Sequence, residues 1–222
     1  MTDETPRPRT LVVADIHGRA DRLAVLMDRL SPVAGLDRLV FLGDYVDRGD
    51  QTRQVLDFLI GLQRVHTDAV FLLGNHEAAL LRYAVSRDPE DLRRLRRMGF
   101  EATLESYGTL PGSGLDFMPQ EHLAFLKGLA RSWRSDGLVC FHAPIPWGRD
   151  PEAVGEEELE AMLASRSVEA QGWAESGETL VFGHVPFLTP LVAPGLMGID
   201  TGAGRSGTLT ALEWPARRFH HA

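Results

Sequence analysis

The sequence predicts an α/β fold, and three observations carry that reading. Five short runs rich in Val, Leu and Phe recur along the chain: TLVVA (10–14), RLVFL (38–42), AVFLL (69–73), LVCF (138–141) and TLVF (179–182). They lack polar alternation, as strands buried on both faces do. Helical periodicity lies between the early runs: Leu23, Leu26, Met27 and Leu30 fall at i, i+3, i+4 and i+7, and Val55, Leu56, Leu59 and Ile60 repeat the stripe. Strands alternating with such helices point to covered sheets.

The rest of the chain fills in around this frame. Residues 77–135 read as mostly helical, with EAALLRYAV, the arginine-rich DLRRLRRMGF and PQEHLAFLKGL interrupted by a loop at TLPGSGLD. Beyond His184, PLVAP, LMGID and GTLTALEW read as short strands, in hairpins or a second sheet. No repeat or compositional break divides the 222 residues, so 1–222 is expected to form a single domain behind a flexible lead-in at 1–9.

Composition narrows the function. The chain is 44% apolar and 24% charged, with a net charge of −8. That balance belongs to a globular protein and opposes a general nucleic-acid binder, which needs a basic face. Cys140 is the sole cysteine, so no internal disulfide exists and a reducing, cytoplasmic setting is expected. No apolar run is long enough to span a membrane, and none is expected at one.

Each apolar run is followed by polar chemistry: Asp15 and His17; Asp44, Asp47 and Arg48; Asn75, His76 and Glu77; His142; His184. Ligands gather at the carboxyl ends of strands in sheets of this kind. Crowded carboxylates resist ionisation unless a positive charge lies between them, which points to metal cations. Asp15 and His17, two apart on an extended backbone, make one half-site. Asp44 is placed to bridge, so one cation is assigned Asp15, His17 and Asp44, and a second Asp44, Asn75, His142 and His184. Neither set closes its coordination sphere, as a catalytic metal requires. A bridging water would attack phosphorus directly, with His76 protonating the leaving oxygen, Asp47 fixing the His76 tautomer and Arg48 gripping phosphate.

Taken singly, Asp15 reads as a helix cap and Asp47 as a partner for Arg48; the ordered set after successive strands is what argues for a site. Glu77 reads as a helix support, and Cys140 as core. Trp147 reads as loop packing, with nucleobase stacking the alternative. The arginines at 93, 94, 96 and 97 read as a solvated face, and His66, His122, His220 and His221 lack ligand company. The glycine pattern at 202–207 precedes a strand rather than a helix and carries no dinucleotide reading.

Asp15-Ile16-His17-Gly18, Gly43-Asp44-Tyr45-Val46-Asp47-Arg48-Gly49 and Gly74-Asn75-His76-Glu77 resemble the three successive motifs of PPP-type metallophosphatases, within the calcineurin-like metallophosphoesterases. Phe182-Gly183-His184 and Gly198-Ile199-Asp200-Thr201-Gly202-Ala203 extend the likeness to small bacterial and phage serine/threonine phosphatases and symmetrical diadenosine tetraphosphatases. The resemblance implies a calcineurin-like four-layer sandwich of two mixed β-sheets flanked by helices. It also implies two divalent metal ions, with manganese foremost and iron or zinc as alternatives. Arg166 stands nearest to the family's second phosphate-gripping arginine, although the Leu-Trp pair that usually precedes it is absent. The prolines of His142-Ala143-Pro144-Ile145-Pro146 replace a glycine-rich turn and should stiffen that loop. Pro186 occupies the place of a further phosphodiesterase histidine, favouring a phosphatase. The expected substrate is a phosphoserine or phosphothreonine protein, with a symmetrical diadenosine tetraphosphate or other nucleotide as the alternative; loops 108–119 and 143–155 would decide between them.

Overall fold

Strand by strand, the runs fall into two five-stranded mixed sheets stacked face to face with helices outside both. The computed structural model of the chain describes residues 9–109 and 115–222. Residues 1–8 of the lead-in expected at 1–9, and residues 110–114 of the 108–119 loop, lie outside them.

The first sheet takes β1 (Thr10–Val13), β2 (Arg38–Phe41) and β3 (Val70–Phe71) in parallel, with β9 (Thr210–Trp214) and β10 (Arg218–His221) antiparallel beyond β1. The second holds β4 (Ser132–Ser135), β5 (Leu138–Phe141), β6 (Thr179–Phe182), β8 (Leu196–Gly198) and β7 (Leu191–Ala193), in that spatial order, with β5, β6 and β8 parallel. Successive side chains of a strand point to opposite faces, and here that splits each apolar run between two cores. Val12, Ala14, Val40 and Leu42 face Leu138, Cys140, Val181 and Met197 between the sheets. Leu11, Val13, Leu39 and Phe41 face outward onto helices α1 (Ala20–Leu30), α2 (Thr52–Val65), α3 (Asn75–Ser86), α5 (Phe100–Ser106) and α6 (Gln120–Lys127). Val139, Phe141, Leu180 and Phe182 pack under α7 (Glu156–Leu163) and α8 (Gln171–Ser176). Runs without polar alternation are therefore what a four-layer sandwich demands.

Both helices expected from periodicity are present, and their stripes Leu23, Leu26, Met27, Leu30 and Val55, Leu56, Leu59, Ile60 are buried. Helix α4 (Pro89–Met98) begins at Asp88, whose side chain accepts the Glu90 N–H, and ends at Gly99 with φ 102°. Its arginines are solvated as expected, except that Arg94 joins Arg82 in gripping Glu160 of α7 at 3.1 and 3.2 Å. The helical reading of 77–135 fails at its end: Ser132–Ser135 is a strand, paired antiparallel with Leu138–Phe141. Asp136 and Gly137 both have positive φ and close a two-residue hairpin, the turn an Asp-Gly pair favours. Among the described residues no helix is long and apolar enough to cross a membrane.

Phe41 is fully buried and stacks on Phe71 at 5.0 Å. Phe41→Ala is expected to lower the unfolding free energy by about 3–5 kcal/mol, measured by urea titration of tryptophan fluorescence.

Candidate active site

The loops that leave β1, β2, β5 and β6, with the start of α3, meet at one rim shared by both sheets. The amides of Ile16 and His17 donate to Asp44 O at 3.0 and 2.8 Å, and Gly18 donates to Tyr45 O. Gly18 and Gly49 let these loops touch, since a β-carbon on Gly18 would sit 2.3 Å from Gly49 O. His17, Asp44, Asp47, Arg48 and His184 all have positive φ, between 48° and 70°. Non-glycine residues persist there only when surroundings over-determine them. The extended pairing expected of Asp15 and His17 is therefore wrong in its cause: β1 ends at Val13 and a turn through His17 brings the two side chains in.

Glu77 ties these loops together. Its carboxylate accepts the amides of Asp44, Tyr45, Val46 and Gly74 at 2.8–3.2 Å. It supports the helix start as expected, and shapes the Asp44 loop as well.

Asp44 lies at the centre, with its two oxygens turned to different nitrogens. Oδ2 is 3.5 Å from His17 Nε2, and Oδ1 is 3.4 Å from His142 Nε2. His142 Nε2 is also 3.0 Å from Asn75 Oδ1. The Nδ1 atoms of His17 and His142 donate to the carbonyls of Val46 and Leu42 at 3.1 and 2.8 Å, which aims each bare Nε2 inward. Two sets of side chains lie close enough to hold an ion: His17, Asp44 and His76, and Asp44, His142 and His184. The Nε2 atoms of His17 and His184 are buried without a partner. Burial holds His17 and His142 well below the usual imidazole range, and burial together with the Arg166 charge holds His184 at about 4. Three neutral imidazoles with inward lone pairs are what a divalent cation needs.

The carboxylates ask for the same cation. Burial pushes Asp44 up to about 7. Burial, then the Asp200 and Asp44 charges, push Asp15 well above its ordinary value, while both Asp15 oxygens accept the His184 amide at 3.0–3.1 Å. Asp200, buried and likewise raised by desolvation, is the member given no role from sequence. It follows the apolar run Leu196–Ile199 just as the others follow theirs, so the strand-end pattern itself was the available signal. Gly183 and Gly74 leave the cradle open, since added β-carbons would meet Asp15 Oδ1 at 2.0 Å and Asp44 Oδ1 at 2.3 Å.

His76 differs from the other three histidines. Its Nδ1 faces Asp47 Oδ2 at 2.7 Å instead of a carbonyl, and its Nε2 lies 3.7 Å from Asp44 and 3.3 Å from Arg48 Nη2. Burial opposes its protonation, but Asp44 and Asp47 outweigh burial and raise it to about 9. An imidazolium has no lone pair for a metal and carries a proton to give. Arg166 is exposed on the loop after α7, and its charge reaches both His184 and Asp200. Trp147 packs edge-on against Trp173 at 4.9 Å and stays 43% exposed. His66, His122, His220 and His221 stand outside both ion-holding sets, and Cys140 lies in the inter-sheet core.

Two stacked mixed sheets with a rim of buried carboxylates and imidazoles define a metallophosphoesterase. The calcineurin-like phosphoesterase family profile matches residues 8–186, and the chain belongs to that family. A relative from Anoxybacillus flavithermus, an asymmetrical bis(5'-nucleosyl)-tetraphosphatase PrpE, is 30% identical over 224 residues, covering 92% of this chain and 89% of its own. One of the same name from Bacillus mycoides is 27% identical, with the same coverage. These relatives carry the asymmetrical designation, not the symmetrical one suggested by the sequence motifs. A solved structure provisionally described as a diadenosine tetraphosphatase superposes with TM-score 0.70 at 23% identity, covering 96% of this chain and 92% of its own. A serine/threonine phosphatase from Saccharomyces cerevisiae shares the fold at TM-score 0.58 and 14% identity, over 95% of this chain and 74% of its own.

The titrations carry a sign that can be measured. A group raised from about 6.5 to about 9, as His76 is, contributes stability that is complete below pH 6.5 and lost as pH rises through 9. The depressed His17, His142 and His184 act in the opposite sense, but only until their unfolded forms finish losing protons about one unit above 6.5, and raised carboxylates act in the same direction as His76. In excess EDTA the unfolding free energy is therefore expected to fall by about 3 kcal/mol between pH 6.5 and 9, read from urea titrations. Saturating divalent metal should flatten that slope.

Proposed function

We propose that this chain, acting as one domain, hydrolyses the phosphoanhydride bridge of dinucleoside tetraphosphates, with the cut placed off-centre. The observation that carries this reading is the match over 92% of the chain to relatives named as asymmetrical tetraphosphatases. It is supported by a bridging-type carboxylate, Asp44, whose two oxygens face two separate nitrogen sets. Asp15, His17 and Asp44 would hold one cation, and Asp44, Asn75, His142 and His184 the other, with manganese the first to test before iron or zinc. When bound, such a pair polarises phosphoryl oxygens and lowers the pKa of water towards neutrality. The buried, unpaired Cys140 suits a reducing cytoplasm.

The chain's own groups do the rest. Arg48 presents its guanidinium fork beside His76 and grips two oxygens of the phosphoryl group under attack. Arg166, whose charge reaches His184 and Asp200, would steady the rest of the phosphate chain. Asp47 accepts the Nδ1 proton of His76 and so leaves the Nε2 proton directed at the departing oxygen. A phosphate leaves far more easily than an alkoxide, so the proton at His76 Nε2 matters least for an anhydride. That same imidazolium favours a second reading, a phosphoserine or phosphothreonine phosphatase, because an alkoxide cannot leave without it.

One assay separates the two. Protein reloaded with manganese is given diadenosine tetraphosphate, a phosphoserine peptide, an aryl phosphate and a phosphodiester, and products are resolved by ion-exchange chromatography. AMP with ATP in equal amounts supports the proposal; two ADP would place the cut at the centre. Turnover of the peptide without the dinucleotide would overturn it in favour of the second reading. His76→Ala is expected to lose roughly 10²- to 10⁴-fold in kcat on alkyl phosphates, much less on the dinucleotide, with metal content unchanged by elemental analysis.

A further inference from the structure

We infer that Thr103, on α5 and outside every motif of the rim, is a positioning residue whose hydroxyl sets the Asp47–His76 pair. The inference rests on the proposed reading of His76 as proton donor. Thr103 and Asp47 are both fully buried and 56 residues apart. Thr103 Oγ1 donates to Asp47 Oδ1 at 2.7 Å, and the Asp47 amide donates back to the same Oγ1 at 2.9 Å. Thr52 Oγ1 lies 3.2 Å away. A hydroxyl has one proton and two lone pairs. Its proton goes to the carboxylate, the strongest acceptor present, and its lone pairs take the Asp47 amide and the Thr52 hydroxyl. No rotational freedom remains. With Oδ1 held in this way, Oδ2 is the oxygen left for His76 Nδ1.

The backbone needs the same contact. Asp47 and Arg48 have φ of 68° and 70°, a conformation these residues hold only under constraint. The Asp47 amide is fixed by Thr103, and the Arg48 amide donates to Gly99 O at 3.2 Å at the junction of α4 and α5. Gly99 admits this approach, since a β-carbon there would lie 3.1 Å from the Arg48 amide nitrogen. The far end of α5 is braced against α2 and α6. Ser106 accepts the Arg53 amide, and Tyr107, His122 and Asp57 form a chain of contacts at 2.5 and 2.9 Å. Two helices that supply no group to the rim thus orient the carboxylate behind the proton donor and the arginine beside it.

The test uses full-length, metal-loaded protein and two substrates: an alkyl phosphate with a poor leaving group and an activated aryl phosphate with a good one. Thr103→Val keeps the side-chain shape and removes the hydroxyl. It is expected to lower kcat on the alkyl phosphate by roughly tenfold, in the range seen for residues that orient a first-rank group. Its KM, its metal content and its turnover of the aryl phosphate should remain within about twofold of the parent, well inside the effect sought. Thr103→Ser should restore the loss, and Thr103→Val added to Asp47→Asn should cost nothing more. Thr103→Ala set against Thr103→Ser makes the same comparison should the valine variant not fold. Equal losses on both substrates, or loss of metal, would mean that Thr103 only supports the fold. If His76→Ala shows the leaving-group dependence and Thr103→Val does not, the positioning role alone fails. If His76→Ala shows none, the proton-donor reading falls and this inference with it.

Discussion

Asp44 is a carboxylate buried almost completely, with Asp15, Glu77 and Asp200 for company. Bringing such charges together in a low-dielectric interior is costly unless protons, amides or cations answer them. Each answer is visible. Amides converge on Glu77, the His184 amide meets both oxygens of Asp15, and the His76 ring stands beside Asp44. What remains unanswered is a set of neutral imidazole nitrogens aimed at the same space. The two sheets, the strained turns and the glycine contacts are arranged around that electrostatic need.

The sandwich gives this need a place. Parallel strands in both sheets end at one edge, and a turn at each end can reverse the chain within a few residues. Left-handed residues at 17, 44, 47, 48 and 184 make those reversals tight enough to face side chains from both sheets across a few ångströms. A single sheet would have presented its strand ends along a line. Two stacked sheets present them around a hollow, which is why His17 from one sheet and His142 from the other reach opposite oxygens of one carboxylate.

Much of this was legible in the residues because each run announced its strand and the polar residues followed at once. Asp15, His17, Asp44, Asn75, His76, His142 and His184 all meet at the rim. The rest failed for identifiable reasons. Ser132–Ser135 has no apolar signature, since it is an edge strand half open to solvent, and the Asp136-Gly137 pair after it was the one signal that could have marked it. Asp200 follows the same rule as its neighbours, yet Leu196–Gly198 is too short a run to command notice. Thr103 could not be found at all: its partner lies 56 residues away, and a threonine in an amphipathic helix carries no mark of what it touches. Periodicity reports which face is buried, and says nothing about which polar atom waits on the other side.

The way Glu77 gathers its amides has a consequence for the choice of cation. Most small metal-dependent modules acquire their shape only when the ion arrives, so the ion that best suits the shape wins. Here the turn that carries Asp44 is already fastened by hydrogen bonds that involve no ligand atom. The backbone that presents Asp44 therefore has a source of shape other than the ion. A frame fixed in advance gives no first-row divalent ion a folding advantage over another, so the donor atoms themselves carry the choice.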